Sequence, residues 1–336
     1  MSNLSFGIDL GTNNIRIYHN DTEDVLMEKN MIAIENKKNI FAYGNSAFEM
    51  YEKAPGNINI SRPLNYGVIA DINNMKTLVK YYIAGLLKNN IKPADYYIAV
   101  PTDVTEVEKK AFYDLIKESN VKAKKIMVVE KAIADGLGLD IDIKNSQGVL
   151  VVDIGFQTTE ISILSLGGIV LSKLIKVGGL NFDESIKNAV RKEFSLFIGG
   201  KTAENVKVHL KDLEDAEESA VVYGRDIVTG LPVERAISTK IIDRALEDNF
   251  NTIIDNIRVI LERTPPELSA DIFRHGIYLT GGGSMVNHLA EKIANGTNLK
   301  VNIAEHPEHS VALGLAKVIR DDTYKSVAYS IEGMGK

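Results

Sequence analysis

The chain of 336 residues contains no cysteine, which excludes a disulfide framework and thiolate chemistry. No apolar run approaches the roughly 18 residues needed to cross a bilayer, so contact with a membrane is confined to its surface. A basic stripe is also missing. Lys and Arg number 39 against 45 Asp and Glu, interspersed along a chain of formal net charge -6, which argues against non-specific nucleic-acid binding. The opening Met-Ser-Asn-Leu-Ser runs directly into an apolar strand with no leader pattern, and a soluble cytoplasmic protein is expected. Of the six His, two lie in His306-Pro307-Glu308-His309 beside Glu305. The proline and its turn make a fixed metal site there a poor reading, and Ser310 is expected to cap a helix over 311–319. What the chain does have is 45% hydrophobic residues with 25% charged, enough for a sizeable core and more consistent with two domains than one.

One pattern occurs twice, about half a chain apart: Phe6-Gly7-Ile8-Asp9-Leu10-Gly11-Thr12-Asn13-Asn14, and Val151-Val152-Asp153-Ile154-Gly155-Phe156-Gln157-Thr158-Thr159-Glu160. Each is an apolar strand ending in Asp-x-Gly, then small hydroxyl or amide residues. Side chains alternate along a strand, so Asp9 and Gly11 share a side, as do Asp153 and Gly155. Each strand delivers a carboxylate and a bare patch of backbone to one edge. Glycine lets backbone N–H groups approach an anion, whereas Asp9 and Asp153 repel phosphate directly and suit Mg²⁺ held through its water shell. Either copy alone reads as ordinary turn punctuation. The duplication favours a nucleotide site.

Between the copies, residues 73–88 carry apolar side chains at helical spacing. A strand over 96–100 stops at Pro101, and Thr105-x-x-Glu108 is a capping box opening a helix to about residue 119. Strand 126–129 leads to Glu130 and a small-residue helix over 132–138. The hairpin flanking Asn36-Lys37-Lys38-Asn39 reads as part of a small insert. The second half repeats this grammar: strands from 149, 161–164 and 169–175, helices near 183–194 and 203–211, an acidic surface link over 213–219, and a long helix over 241–261 ended by Thr264-Pro265-Pro266. A strand over 276–280 then runs into Gly281-Gly282-Gly283, with a helix from about Ser284. Two α/β halves with a cleft between them follow, and a small ligand is expected in that cleft.

These motifs resemble those of the actin, sugar-kinase and heat-shock-chaperone ATPases, and most of all the MreB family of bacterial actins, nearly end to end. The most specific pieces are Gly7-Ile8-Asp9-Leu10-Gly11-Thr12, Arg62-Pro63 with Gly67-Val68-Ile69-Ala70-Asp71, Lys201-Thr202-Ala203-Glu204, Thr229-Gly230-Leu231-Pro232, Thr264-Pro265-Pro266-Glu267-Leu268, and Leu279-Thr280-Gly281-Gly282-Gly283-Ser284. The resemblance implies an actin-like ATPase fold: two duplicated ribonuclease-H-like α/β domains around a nucleotide cleft, each with a small inserted subdomain. The first domain would cover 1–145, with an insert at about 33–65 and a C-terminal helix of about 311–336 returning to it. The second would cover 146–310, with an insert at about 181–243. ATP or ADP with Mg²⁺ is the implied cofactor. Gly11, Thr12, Asn13 and Asn14 would form the first phosphate loop and Gly155, Phe156, Gln157 and Thr158 the second, with Asp9 and Asp153 beside the metal. Glu130 and Thr158 would orient the attacking water. Glu204 and Lys207, otherwise a routine surface pair, would face the ribose and adenine. Gly281, Gly282, Gly283 and Ser284 would pass beneath the nucleoside.

The family's implied activity is ATP-dependent polymerisation into paired protofilaments doing cell-shape or related cytoskeletal work, with slow ATP hydrolysis and peripheral contact with the inner membrane face. Ile91, flanked by Lys88 and Lys92 in the loop 89–93, is the candidate membrane contact, contributing at most about 2 kcal/mol if fully buried. The second loop departs from the family's Asp-x-Gly-Gly-Gly-Thr-Thr-Glu, since Phe156 and Gln157 replace glycines. Two readings follow: the side chains point outward and the loop still grips phosphate, or γ-phosphate binding and hydrolysis are weakened. Lys131 replaces the family's proline and adds a cation near the cleft, and Arg16 has no implied role. A filament protein that has lost its ATPase is the alternative. A small-molecule kinase lacks an evident sugar-binding insert, and a chaperone would need a peptide-binding domain.

Overall fold

The computed structural model describes residues 3–209 and 219–332. It contains two five-stranded sheets of the same topology. In the first the order is Ala123–Glu130, Ala94–Val100, Ser5–Leu10, Asn14–His19, Asp24–Lys29; in the second it is Val301–Ile303, Ile277–Thr280, Val149–Ile154, Thr159–Ser165, Gly168–Ile175. Each begins as an antiparallel three-strand meander whose first strand then pairs with a parallel neighbour. The two Asp-x-Gly strands are therefore the central strands of their sheets. Both read as continuous apolar runs because both faces are covered, and every residue of each is buried.

A small antiparallel sheet is inserted in each half. One comprises Asn39–Tyr43, Ile32–Glu35 and Ile58–Ser61, the other Leu196–Phe197, Ser219–Asp226 and Pro232–Ser238. The expected capping box is present: Thr105 accepts from the Glu108 N–H and Glu108 reaches back to Thr105 N at 2.7 Å. The long helix runs Thr239–Glu262 and buries Ile242, Leu246, Phe250, Ile253, Ile257 and Ile260 on one stripe, each contributing about 1.5–3 kcal/mol. The two prolines that end it also start another helix, Pro266–His275, because proline is preorganised for the first helical position. The helix expected from Ser284 is a single 3₁₀ turn, Gly282–Met285, and the α-helix starts at Leu289. The acidic link over 213–219 lies, except for Ser219, outside the described residues.

Between the two sheets lies an apolar layer built from the helices Lys131–Gly138 and Ser310–Arg320. They cross at backbone contact. A Cβ on Gly138 would lie 1.8 Å from Ser310 O, and one on Gly314 1.8 Å from Ala134 O. The two halves meet at this crossing. Beyond it the chain returns to the first sheet, where Tyr329 exchanges two backbone hydrogen bonds with Val128, at 2.7 and 3.0 Å. Ser310 is the first helical residue rather than the cap; its hydroxyl is used in a buried network with Asp135 (2.7 Å) and Thr280 (2.6 Å).

Candidate nucleotide cleft

The equivalent turns of the two sheets face each other across a cavity of about 360 Å³. Asp9, Gly11, Thr12, Asn13 and Asn14 line it from the first half; Asp153, Gly155, Phe156, Thr158, Glu204, Lys207, Gly281, Gly282 and Gly283 line it from the second. The structure thus gathers most of the residues singled out from the sequence. Gly11 has no room for a side chain, since a Cβ would sit 2.6 Å from Asn14 O. The loop is pinned from behind by Asn30, whose Nδ2 donates to Gly11 O at 2.9 Å and whose N–H donates to Asn13 O at 2.9 Å. Gly281 passes against the other carboxylate with φ +82°, and a Cβ there would lie 2.0 Å from Asp153 Oδ1.

Register explains the electrostatics. Opposite Asp9 on the neighbouring strand stands Arg16; opposite Asp153 stands Glu160. Arg16 Nη1 reaches Asp9 Oδ2 at 3.5 Å, which gives Arg16 its role. Two acids facing each other across a ladder repel, and the second site resolves this twice over. Lys131 Nζ reaches across to Asp153 Oδ2 at 2.5 Å. Burial, with Asp153 nearby, pushes Glu160 up to about 7 against the pull of Lys131 and of Thr102, whose N–H donates to it at 3.2 Å. Burial likewise raises Asp135 well above the carboxylate range, Asp153 adding to the effect. Lys131 itself is lowered by burial but raised more by Asp153, Asp9, Asp135 and Glu160, so it stays charged.

Three of the expected site residues lie elsewhere. Glu130 is the last residue of its strand and points away from the cavity: its Oε1 accepts from Lys109 Nζ at 2.8 Å and from the Tyr329 hydroxyl at 2.6 Å. The next residue, Lys131, takes the position facing the cleft, since adjacent side chains at a strand end diverge. Gln157 is buried and spans the cleft instead, its Oε1 accepting the Tyr66 N–H at 2.8 Å. Ser284 turns its hydroxyl onto Gly281 O at 2.6 Å and braces the glycine turn.

Phe156 does line the cavity, and its ring carries the Arg62 guanidinium at 4.9 Å, while Arg62 also covers Tyr51 at 5.2 Å. The loop's own carbonyls are occupied: Gly155 O accepts from Gly179 N at 3.0 Å and Phe156 O from Leu180 N at 2.6 Å. Farther out, Glu52 accepts from Gly200 N at 3.1 and 3.0 Å, at the start of the helix Gly200–His209 that carries Glu204 and Lys207. Glu204 pairs with Lys29 at 3.8 Å, and Lys207 with Asp183 at 2.6 Å. Lys29, Glu160 and Met285 line the cavity without having been assigned from sequence; the Glu160 signal was its place directly after Thr158-Thr159.

A nucleotide fits this donor set. Two residues lining the cavity carry buried polar atoms with no hydrogen-bond partner, Asn13 Oδ1 and Arg16 Nε, and two glycine turns keep backbone within reach of an anion. A divalent ion bound directly by protein fits poorly, because Asp9 and Asp153 are each engaged by a cation, and no group of three or more His, Cys, Asp or Glu among the described residues could hold a metal.

Residues 3–326 match the MreB/Mbl protein family. The chain belongs to the MreB/Mbl family. The cell shape-determining protein Mbl of Bacillus subtilis is 36% identical over 312 residues, covering 92% of this chain and 93% of that protein. Solved structures of MreB5 of Spiroplasma citri, bound to ADP and to AMPPNP, are 36% identical and superpose with TM-scores of 0.89 and 0.90 over 97% of this chain and 98% of theirs. A MamK double helical filament shares the fold, with a TM-score of 0.79 at 22% identity over 95% of this chain and 99% of that one. The fold is accordingly that of the actin-like members of this family.

Among the described residues no helix is long and apolar enough to cross a membrane. In the candidate membrane loop Ile91 is half-buried, and its carbonyl accepts from Lys122 Nζ at 2.8 Å.

Proposed function

We propose that this MreB/Mbl protein binds ATP or ADP in the cleft and assembles with copies of itself into cytoskeletal filaments that serve cell shape or a related task, with slow hydrolysis of ATP. The observation that carries the reading is the pairing of two glycine turns, Gly11–Asn14 and Gly155–Thr158, across one cavity where Asn13 Oδ1 and Arg16 Nε are buried without hydrogen-bond partners. Backbone N–H groups of both turns bind the phosphates, Glu204 and Lys207 meet the nucleoside, and Gly281–Gly283 lie beneath it. The Thr158 hydroxyl holds the attacking water. Mg²⁺ would come with the nucleotide and supply neutralisation of phosphate charge, with Asp9 as the nearer candidate for a water-mediated contact and Asp153 already held by Lys131.

Closure brings the halves together through Gln157, Arg62 and Glu52, so that occupancy of the cleft sets the relative orientation of surfaces that copies share. An exposed apolar strip on the inserted hairpin supports self-association: Val221, Tyr223, Val228 and Leu231 are 53%, 68%, 83% and 62% exposed. Paired protofilaments and a peripheral membrane contact belong to the same reading, the latter through avidity along the polymer rather than through Ile91 alone.

A second reading, a nucleotide-binding filament without turnover, is favoured by one observation: Glu130 does not line the cavity, and its Oε1 is held by Lys109 and Tyr329 while its Oε2 is buried without a hydrogen-bond partner. Phosphate release measured alongside polymer mass separates the two. Release that rises with polymer supports the slow ATPase; assembly without release supports the silent filament; phosphorylation of a small-molecule acceptor without assembly would overturn both.

A further inference from the structure

The cleft floor holds a lysine that its nucleotide reading does not use. Four carboxyl groups meet there: burial raises Asp135 and Glu160, and the other two are Asp9 and Asp153. Each of these has its own cation, Arg16 and Lys131. Arg16 comes from the same hairpin as Asp9. Lys131 does not share a sheet with Asp153. It is the first residue of the helix Lys131–Gly138, follows directly on the last strand of the first sheet, and crosses to the second half to reach its partner. Its ammonium therefore stands between the two glycine turns, lining the same cavity. An ammonium has three donors, and Asp153 is its one salt-bridge partner among the described residues. The remaining donors are available to a ligand in the cavity.

A divalent ion placed beside Asp153 would stand against a cation already in contact with that carboxylate, and like charges repel. A phosphate oxygen in the same place would complete the ammonium's hydrogen bonding, in a charge-assisted contact. We propose that Lys131 is a phosphate-binding residue, its ammonium bridging Asp153 and the terminal phosphates of the nucleotide and supplying part of the charge neutralisation that a divalent cation would otherwise supply. The proposal rests on the nucleotide reading above. Its consequence is that ATP binding tolerates removal of divalent ions better than a cleft without this lysine would.

The test is calorimetric titration of ATP and of AMP into the full chain, in Mg²⁺ and in EDTA, for the wild type, Lys131→Met and Lys131→Met with Asp153→Asn. The double variant leaves no buried carboxylate unpaired, so it keeps the test available if the single variant fails to fold. The expected result is that the wild type loses less than about tenfold in ATP affinity on moving to EDTA, and that the variants bind ATP about tenfold or more weakly than the wild type in EDTA, with AMP affinity little changed. Variants that bind ATP in EDTA as tightly as the wild type, or that lose AMP as strongly as ATP, overturn the proposal, since Lys131 would then serve Asp153 or the fold alone. A wild type that binds neither nucleotide in either buffer removes the nucleotide reading itself, a result distinct from both.

Discussion

Gln157 Oε1 accepts the Tyr66 backbone N–H at 2.8 Å, so the second Asp-x-Gly turn is tied directly to the opposite side of the cleft. Beside it the Phe156 ring carries Arg62. The two residues that depart from the glycines of the resembling pattern thus both grip across the cleft, beside Lys131, Glu52 and Glu204.

Replacing both by glycine should loosen that grip. One net hydrogen bond is worth about 1 kcal/mol and a cation–π contact about 0.5–2 kcal/mol. Nucleotide release from Phe156→Gly with Gln157→Gly is therefore expected to be roughly tenfold faster in a stopped-flow chase. An unchanged release rate would show that the cleft is held shut by its other contacts.

Glu130 is expected to matter for stability more than for nucleotide binding. Glu130→Gln weakens two half-buried hydrogen bonds, to Lys109 and Tyr329, and should cost about 1–3 kcal/mol in a urea titration. ATP affinity should stay within about twofold. A large loss of affinity with unchanged stability would return Glu130 to the cleft.

Stability should fall as pH rises from about 5 to 7. Glu160 holds its proton to about 7 in the folded chain against 4.5 ordinarily, and Asp183 to about 6 against 3.8. Within those windows the folded state binds more protons than the unfolded one, so the contribution of these groups is favourable at the acid end and lost on going up. Urea midpoints of Glu160→Gln at pH 5 and pH 8 should differ less than those of the wild type; an equal difference would remove Glu160 as the source.

The crossing of the helices Lys131–Gly138 and Ser310–Arg320 has no room for one methyl group. Gly314→Ala places a Cβ 1.8 Å from Ala134 O, too close for side-chain adjustment to relieve, and should cost at least about 1–3 kcal/mol, seen as a lower urea midpoint. A midpoint equal to that of the wild type would mean that the helices can part freely.

Much of this was legible from residue patterns. The Asp-x-Gly strands announced themselves because both faces are buried, and the Thr105–Glu108 capping box because its donors and acceptors are local. Orientation at element ends was not legible: at the junction of Glu130 and Lys131 a single residue decides which side chain enters the cleft, and periodicity does not fix a junction. Nor could the sequence reveal partners from far along the chain, such as Tyr66 for Gln157 or Asp135 for Ser310. Pro265-Pro266 marked a helix end correctly but concealed the helix that starts there, since proline suits both.

The central claim is that nucleotide in the cleft governs self-assembly. Sedimentation across a protein concentration series, with ATP, with ADP and without nucleotide, tests it most directly. The account predicts polymer above a critical concentration that is lowest with ATP. Sedimentation that is identical in all three conditions, or none at any concentration, would contradict it.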